Sequence, residues 1–142
     1  MNVIFTCGGT GGHINPAIAV ANIWKERHPD SKILFIGAKD RMEEKLVPKA
    51  GYELYTIPAS GLSRGKNLKA LKYNLRAVSC VFQAVSSCKK VIREFGADVV
   101  VGTGGYASFP ALLAASMLGV PTCVHEANAM PALRSFWSLH RA

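Results

Sequence analysis

Val3-Ile4-Phe5-Thr6-Cys7-Gly8-Gly9-Thr10-Gly11-Gly12-His13 and, farther along, Val99-Val100-Val101-Gly102-Thr103-Gly104-Gly105-Tyr106 decide how this chain folds. Each is a run of β-branched and aromatic residues that empties into a glycine-rich turn, with a helical pattern beyond it. Glycine carries no side chain to hold a ligand off the main chain, so amides at the first turn of the next helix can face an anion. Two such turns point to a cleft for phosphate-bearing molecules.

Working outward, strands and helices alternate. Residues 2–7 read as a strand. A helix follows, with Pro16 near its start and its end near His28, and Ile18, Ala21, Ile23 and Trp24 are its expected buried stripe. Residues 32–37 form a second strand. Asp40 and Glu43 have capping-box spacing and open a short helix to about Ala50. Residues 53–57 form a third strand, and Pro58 to Gly65 is a loop. A long helix over about 67–95 places Leu68, Leu71, Leu75, Val78, Phe82, Val85, Cys88, Ile92 and Phe95 at spacings of three and four, and Gly96 ends it. A strand at 98–101, a helix at 109–118 and a strand at 120–125 complete the pattern. The first, fourth and fifth strands are continuous apolar runs rather than alternating ones, which is the mark of a parallel sheet covered on both faces. The expected class is α/β, a doubly wound, mainly parallel sheet.

Composition narrows the partners. The 142 residues carry 17 Lys and Arg against 9 Asp and Glu, a formal charge of +8 that favours anions. Arg64, Lys66, Lys69, Lys72, Arg76, Lys89, Lys90 and Arg93 fall in one third of the chain, and no acidic residue falls between Glu53 and Glu94. Lys66, Lys69, Lys72 and Arg76 surround Leu68, Leu71, Tyr73 and Leu75, a mixture suited to an anionic membrane surface; core packing accounts for most of the apolar stripe in any case. Nucleic acid fits the charge alone, but the aromatic interleaving is sparse and no reader motif is present. The N-terminus reads as a strand rather than a leader peptide, and no apolar run approaches the ~18 residues of a membrane span. Cys7, Cys80, Cys88 and Cys123 form no C-x-x-C pair, and Cys80 and Cys88 would stand about 12 Å apart along a helix, so reduced thiols and no metal are expected.

In a parallel sheet, ligands bind at the carboxyl ends of the strands. Both glycine turns and the segment His125-Glu126-Ala127-Asn128 lie there. The first turn misses the G-x-G-x-x-G spacing, the second strand ends in Gly37-Ala38 rather than an acidic residue, and His13 stands where a P-loop has lysine. A nicotinamide-dependent oxidoreductase and a P-loop enzyme are therefore disfavoured. His13, at a helix start where the dipole disfavours its cation, is either a structural donor or a neutral base for a sugar hydroxyl. Glu126 and Asn128 are either ligand contacts or loop caps.

Together these residues resemble the N-terminal half of the MurG family of bacterial peptidoglycan glycosyltransferases. The resemblance rests on Gly8 to Ala17, Asp40-Arg41-Met42-Glu43, Leu46-Val47-Pro48, Ser60-Gly61-Leu62, Gly104-Gly105-Tyr106 and His125-Glu126-x-Asn128, and covers residues 2–131. It implies a two-domain GT-B enzyme that transfers N-acetylglucosamine from UDP-N-acetylglucosamine to the undecaprenyl-pyrophosphate-linked muramyl-pentapeptide. The transfer inverts the anomeric carbon and needs no cofactor or metal, and the enzyme sits at the cytoplasmic face of the membrane. By the same resemblance, Thr10, Gly11, Gly12 and Asn128 complete the donor site, while His13, Tyr106 and Glu126 are acceptor-side or catalytic, with Gly104, Gly105 and His125 beside them. Position 127 is Ala where the family has Gln. Residues 1–131 are then the acceptor-binding Rossmann-like domain and 132–142 a divergent tail that looks like a truncation, with the donor-binding domain absent. Such a chain would be weak or inactive alone. A non-enzymatic module that docks on membrane, lipid carrier or a separate donor domain is the alternative.

Overall fold

The computed structural model describes residues 1–58 and 68–125, with side chains at 1–58 and 79–125. The basic patch from Lys66 to Arg76, Glu126, Asn128 and the tail at 132–142 lie outside the residues so described. Five strands, β1 (Asn2–Thr6), β2 (Lys32–Ala38), β3 (Glu53–Ile57), β4 (Val99–Gly102) and β5 (Thr122–Val124), alternate with α1 (Gly11–Arg27), α2 (Glu43–Lys49), α3 (Leu68–Phe95) and α4 (Ser108–Met117). All strand pairs are parallel, in the order β3-β2-β1-β4-β5. The expected doubly wound α/β sheet is the one observed.

The apolar strands are explained by burial on both faces. Alternate residues of a strand point to opposite sides. Val3 and Phe5 of β1 pack with Phe35, Ile14, Ala17, Ala21 and Val47 beneath α1 and α2. Ile4 instead joins Ile36, Val100, Val85, Cys88, Ile92, Ala111 and Ala114 beneath α3 and α4. Phe5 stacks on Phe35, with ring centroids 5.4 Å apart.

Local details depart from the sequence reading in three places. The first helix begins at Gly11, well before Pro16, because Thr10 is extended (φ −144°, ψ 154°) and Gly11 and Gly12 already form the opening turn. Its buried side is Ile14, Ala17 and Ala21, while Ile23 is 51% exposed, since two residues beyond Ala21 is about 200° around the helix. Phe82 is 72% exposed for the same kind of reason: the packed face of α3 runs through Ala84, Val85, Cys88, Val91 and Ile92. The third departure is the capping box, which does not form. Met42 occupies the cap, the amide of Asp40 (φ 57°) donates to Glu44 Oε1 at 3.2 Å, and Glu43 turns into the interior. Gly96 does end α3, with φ 64° and its amide bonded to the Arg93 carbonyl.

β1 lies at the centre of the sheet, hydrogen-bonded to β2 on one side and β4 on the other. The winding direction reverses between β1 and β4, which is where an open α/β sheet leaves a crevice. Thr6 pairs with Gly102, so both glycine loops depart from adjacent strand ends. Among the described residues no helix is long and apolar enough to cross a membrane, and no group of three or more His, Cys, Asp or Glu could hold a metal ion.

The four cysteines are free. Burial pushes the Cys88 thiol from 9.0 up to about 12, and burial, then the nearby charge of Glu43, does the same to Cys7. An acid whose folded pKa is raised stabilises the fold fully below pH 9.0, and that stability is lost as pH rises toward about 12. The unfolding free energy from urea titrations should therefore fall as pH rises above about 9, at up to about 1.4 kcal/mol per pH unit for each thiol. The Cys7→Ala/Cys88→Ala protein should show a shallower decline; an equal slope would mean these thiols do not carry it.

Candidate functional site

The two glycine loops do not merely lie near each other; they interlock. Gly105 has φ 89°, and a β-carbon there would overlap the main chain of Gly8, so the loops touch backbone to backbone. Gly104, at φ 106°, sits against the His13 ring, where a β-carbon would come 2.7 Å from Nδ1. Thr103 links the loops twice. Its Oγ1 donates to the His13 carbonyl at 2.6 Å, and its own carbonyl accepts from His13 Nδ1 at 3.0 Å. Its amide bonds to Thr6 O, which also accepts from Ser108 Oγ. Ser108 Oγ reaches the Gly104 carbonyl as well, at 2.6 Å.

The carbonyl of Thr103 can only accept, so Nδ1 of His13 bears the proton. In the neutral ring, Nε2 then carries a lone pair. One ring nitrogen thus braces the two loops, while Nε2 has no partner among the described residues. The ring is half-buried at the third position of α1.

Glycine in the two loops does different work. Gly104 and Gly105 serve the contact between loops. The amide of Gly9 is spent on Glu43 Oε1 at 3.0 Å. What stays open is the start of α1: the amides of Thr10, Gly11 and Gly12 have no partner among the described residues, and the first turn of α1 contains no acidic side chain. Those amides and the helix dipole form an anion-binding end. Tyr106, 50% exposed, passes over Gly9, where a β-carbon would lie 4.0 Å from its Cδ2. His125, at the exposed end of β5, donates its amide to Gly102 O at 2.8 Å and so joins the same rim. The structure thus brings together Thr10, Gly11, Gly12, His13, Gly104, Gly105, Tyr106 and His125. Sequence reasoning missed Thr103 and Ser108, whose hydroxyls are pointed by tertiary contacts, although a threonine set between glycines was a signal.

The sequence matches the glycosyltransferase family 28 N-terminal domain over residues 3–142. It is 44% identical over 133 residues to the UDP-N-acetylglucosamine–N-acetylmuramyl-(pentapeptide) pyrophosphoryl-undecaprenol N-acetylglucosamine transferase of Alkaliphilus oremlandii (strain OhILAs), covering 94% of this chain and 35% of that protein. The protein of the same name from Lactococcus lactis subsp. cremoris (strain MG1363) is 42% identical, with 94% and 36% covered. The chain thus spans about a third of the length of the curated relatives it matches. Among solved structures, Acinetobacter baumannii MurG superposes with a TM-score of 0.83 at 26% identity, over 99% of this chain and 39% of that one. UDP-GlcNAc 2-epimerase from Neisseria meningitidis, bound to UDP-GlcNAc, shares the fold alone, with a TM-score of 0.56 at 18% identity over 97% of this chain and 35% of that one.

Interlocking makes a direct prediction. Gly105→Ala combines a left-handed φ with overlap against Gly8 and should cost about 3 kcal/mol or more in urea unfolding. Gly51→Ala has a similar φ of 86° with open space around it and should cost only about 1 kcal/mol. Equal losses would show that the loops do not bear on each other.

Proposed function

The chain belongs to the glycosyltransferase family 28 N-terminal domain family, and from that premise we propose that it is the acceptor-side domain of an inverting N-acetylglucosaminyltransferase of peptidoglycan synthesis. The donor is UDP-N-acetylglucosamine and the acceptor the undecaprenyl-pyrophosphoryl-muramyl-pentapeptide, as the names of its relatives describe for them. One observation carries this reading: the open amides of α1 stand beside a histidine whose Nδ1 is committed and whose Nε2 is not.

The chemistry follows from that arrangement. The acceptor 4-hydroxyl gives its proton to His13 Nε2 as its oxygen bonds to the anomeric carbon, and the bond to UDP breaks on the opposite face, its electron pair leaving with UDP. The amides of Thr10, Gly11 and Gly12 take up diphosphate charge. The family resemblance gives Glu126 a catalytic and Asn128 a substrate-binding role, with Gly104, Gly105, Tyr106 and His125 on the acceptor side. No cofactor or metal takes part. The part of the relatives' length that this chain does not span would hold the uridine and most of the donor.

A peripheral seat on the cytoplasmic face of an anionic membrane belongs to the same reading. The charge of +8 supports it, as do exposed Phe82 on α3 and exposed Leu113 and Met117 on α4, two helices that pack together. Lys66, Leu68, Lys69, Leu71, Lys72, Tyr73, Leu75 and Arg76 would supply the basic and apolar contacts.

Calorimetric titration should show the chain binding a short-chain polyprenyl-pyrophosphoryl-muramyl-pentapeptide at least about a hundredfold more tightly than UDP-N-acetylglucosamine, a gap of about 3 kcal/mol. Tighter binding of the nucleotide sugar would overturn the acceptor assignment. Reversing Lys66, Lys69 and Lys72 to Glu should reduce co-sedimentation with phosphatidylglycerol vesicles by about tenfold or more, since each basic residue near such a surface contributes about 1 kcal/mol. Undiminished co-sedimentation would remove this patch from the membrane contact.

A further inference from the structure

Glu43 is the one charged residue among the fully buried side chains of the described residues, with 0% exposure. A carboxylate is costly to bury unless its oxygens are hydrogen-bonded. Oε1 accepts two main-chain amides, from Gly9 at 3.0 Å and from Ala38 at 3.2 Å. Oε2 is buried with no partner among the described residues. A leucine would fill this volume without that penalty, so packing alone does not explain the residue.

Space has been cleared for it on two sides. At Gly37 a β-carbon would come 2.9 Å from Glu43 Cβ, and at Gly8 one would come 3.1 Å from Oε1. Gly8, after β1, and Gly37, within β2, thus leave room for one side chain. The residue it grips, Gly9, has φ 87° and sits between Gly8, on which Gly105 rests, and Thr10, whose extended backbone opens α1.

We propose that Glu43 is a positioning residue: by holding the Gly9 amide it fixes the β1–α1 loop, and through that loop the aim of the open Thr10–Gly12 amides and of His13 at a diphosphate. Fully buried, it has no surface to offer a ligand and acts from behind the loop. The grip ties the end of β2 and the start of α2 to a loop 34 residues earlier in the sequence, so that the position of one helix start depends on a distant segment. The site half of this inference rests on the diphosphate reading above.

The test is amide NMR on the 142-residue chain with inorganic pyrophosphate as the probe. In Glu43→Ala, hydrogen exchange at Gly9 should quicken by roughly tenfold or more, as expected for losing a hydrogen bond to a charged acceptor. Pyrophosphate should also perturb the Thr10, Gly11 and Gly12 amides with about tenfold weaker apparent affinity. Glu43→Gln keeps a carbonyl oxygen at the Oε1 position and should bring both quantities back to within about threefold of the parent. If the Ala variant does not fold, Glu43→Asp, which withdraws the oxygens by one methylene, should show the same losses. Unchanged Gly9 exchange in Glu43→Ala, or a Gln variant no better than Ala, overturns the proposal. If the parent chain's Thr10–Gly12 amides ignore pyrophosphate, the diphosphate reading falls and the site half with it. The exchange arm still decides whether Glu43 holds the loop.

Discussion

The seat of Gly105 on the main chain of Gly8 is the constraint from which the site follows. Two strand-to-helix loops can approach this closely only where neither carries a β-carbon and the second is free to take a left-handed φ. Once they are in contact, Thr103 bonds His13 at both its carbonyl and its ring, and Ser108 fastens the far loop to the end of β1. The result is a rigid corner at the switch point of the sheet. His13 and a row of open amides are held there by contacts between the two loops.

This arrangement divides labour among atoms of the same residue. His13 commits one ring nitrogen to the Thr103 carbonyl and leaves the other without a partner among the described residues, so its orientation and its tautomer are set by a single hydrogen bond. The glycine loop divides in a similar way. Gly8 and Gly9 face inward, to Gly105 and to Glu43, while Gly11 and Gly12 form the first turn of α1. Half of the loop is needed to hold the other half still.

Much of the fold was legible because its determinants are local. Val3-Ile4-Phe5 and Val99-Val100-Val101 are apolar without alternation, and that pattern requires a sheet buried on both faces. Gly96 marked the end of α3 because a left-handed residue there admits few alternatives. The misreadings at Ile23, Phe82 and the supposed capping box have one cause. Apolar spacing tells that a helix has a buried side, but only the neighbouring layers decide where that side begins and ends. Glu43 had the right spacing for a cap and a stronger use elsewhere, at the amides of Gly9 and Ala38.

The sequence by itself determined the order of strands and helices, the two-faced burial of the sheet and the nature of the residues at its rim, since all of these are written in periods of two or three to four residues and in glycine placement. Tertiary structure alone decided which glycines face each other and which form the first turn of α1, that Thr103 fixes the tautomer of His13, and that Glu43 lies beneath the first loop. Those pairings join residues from different strand-to-helix units. They depend on the register of β1 against β2 and β4, a quantity that no local pattern encodes.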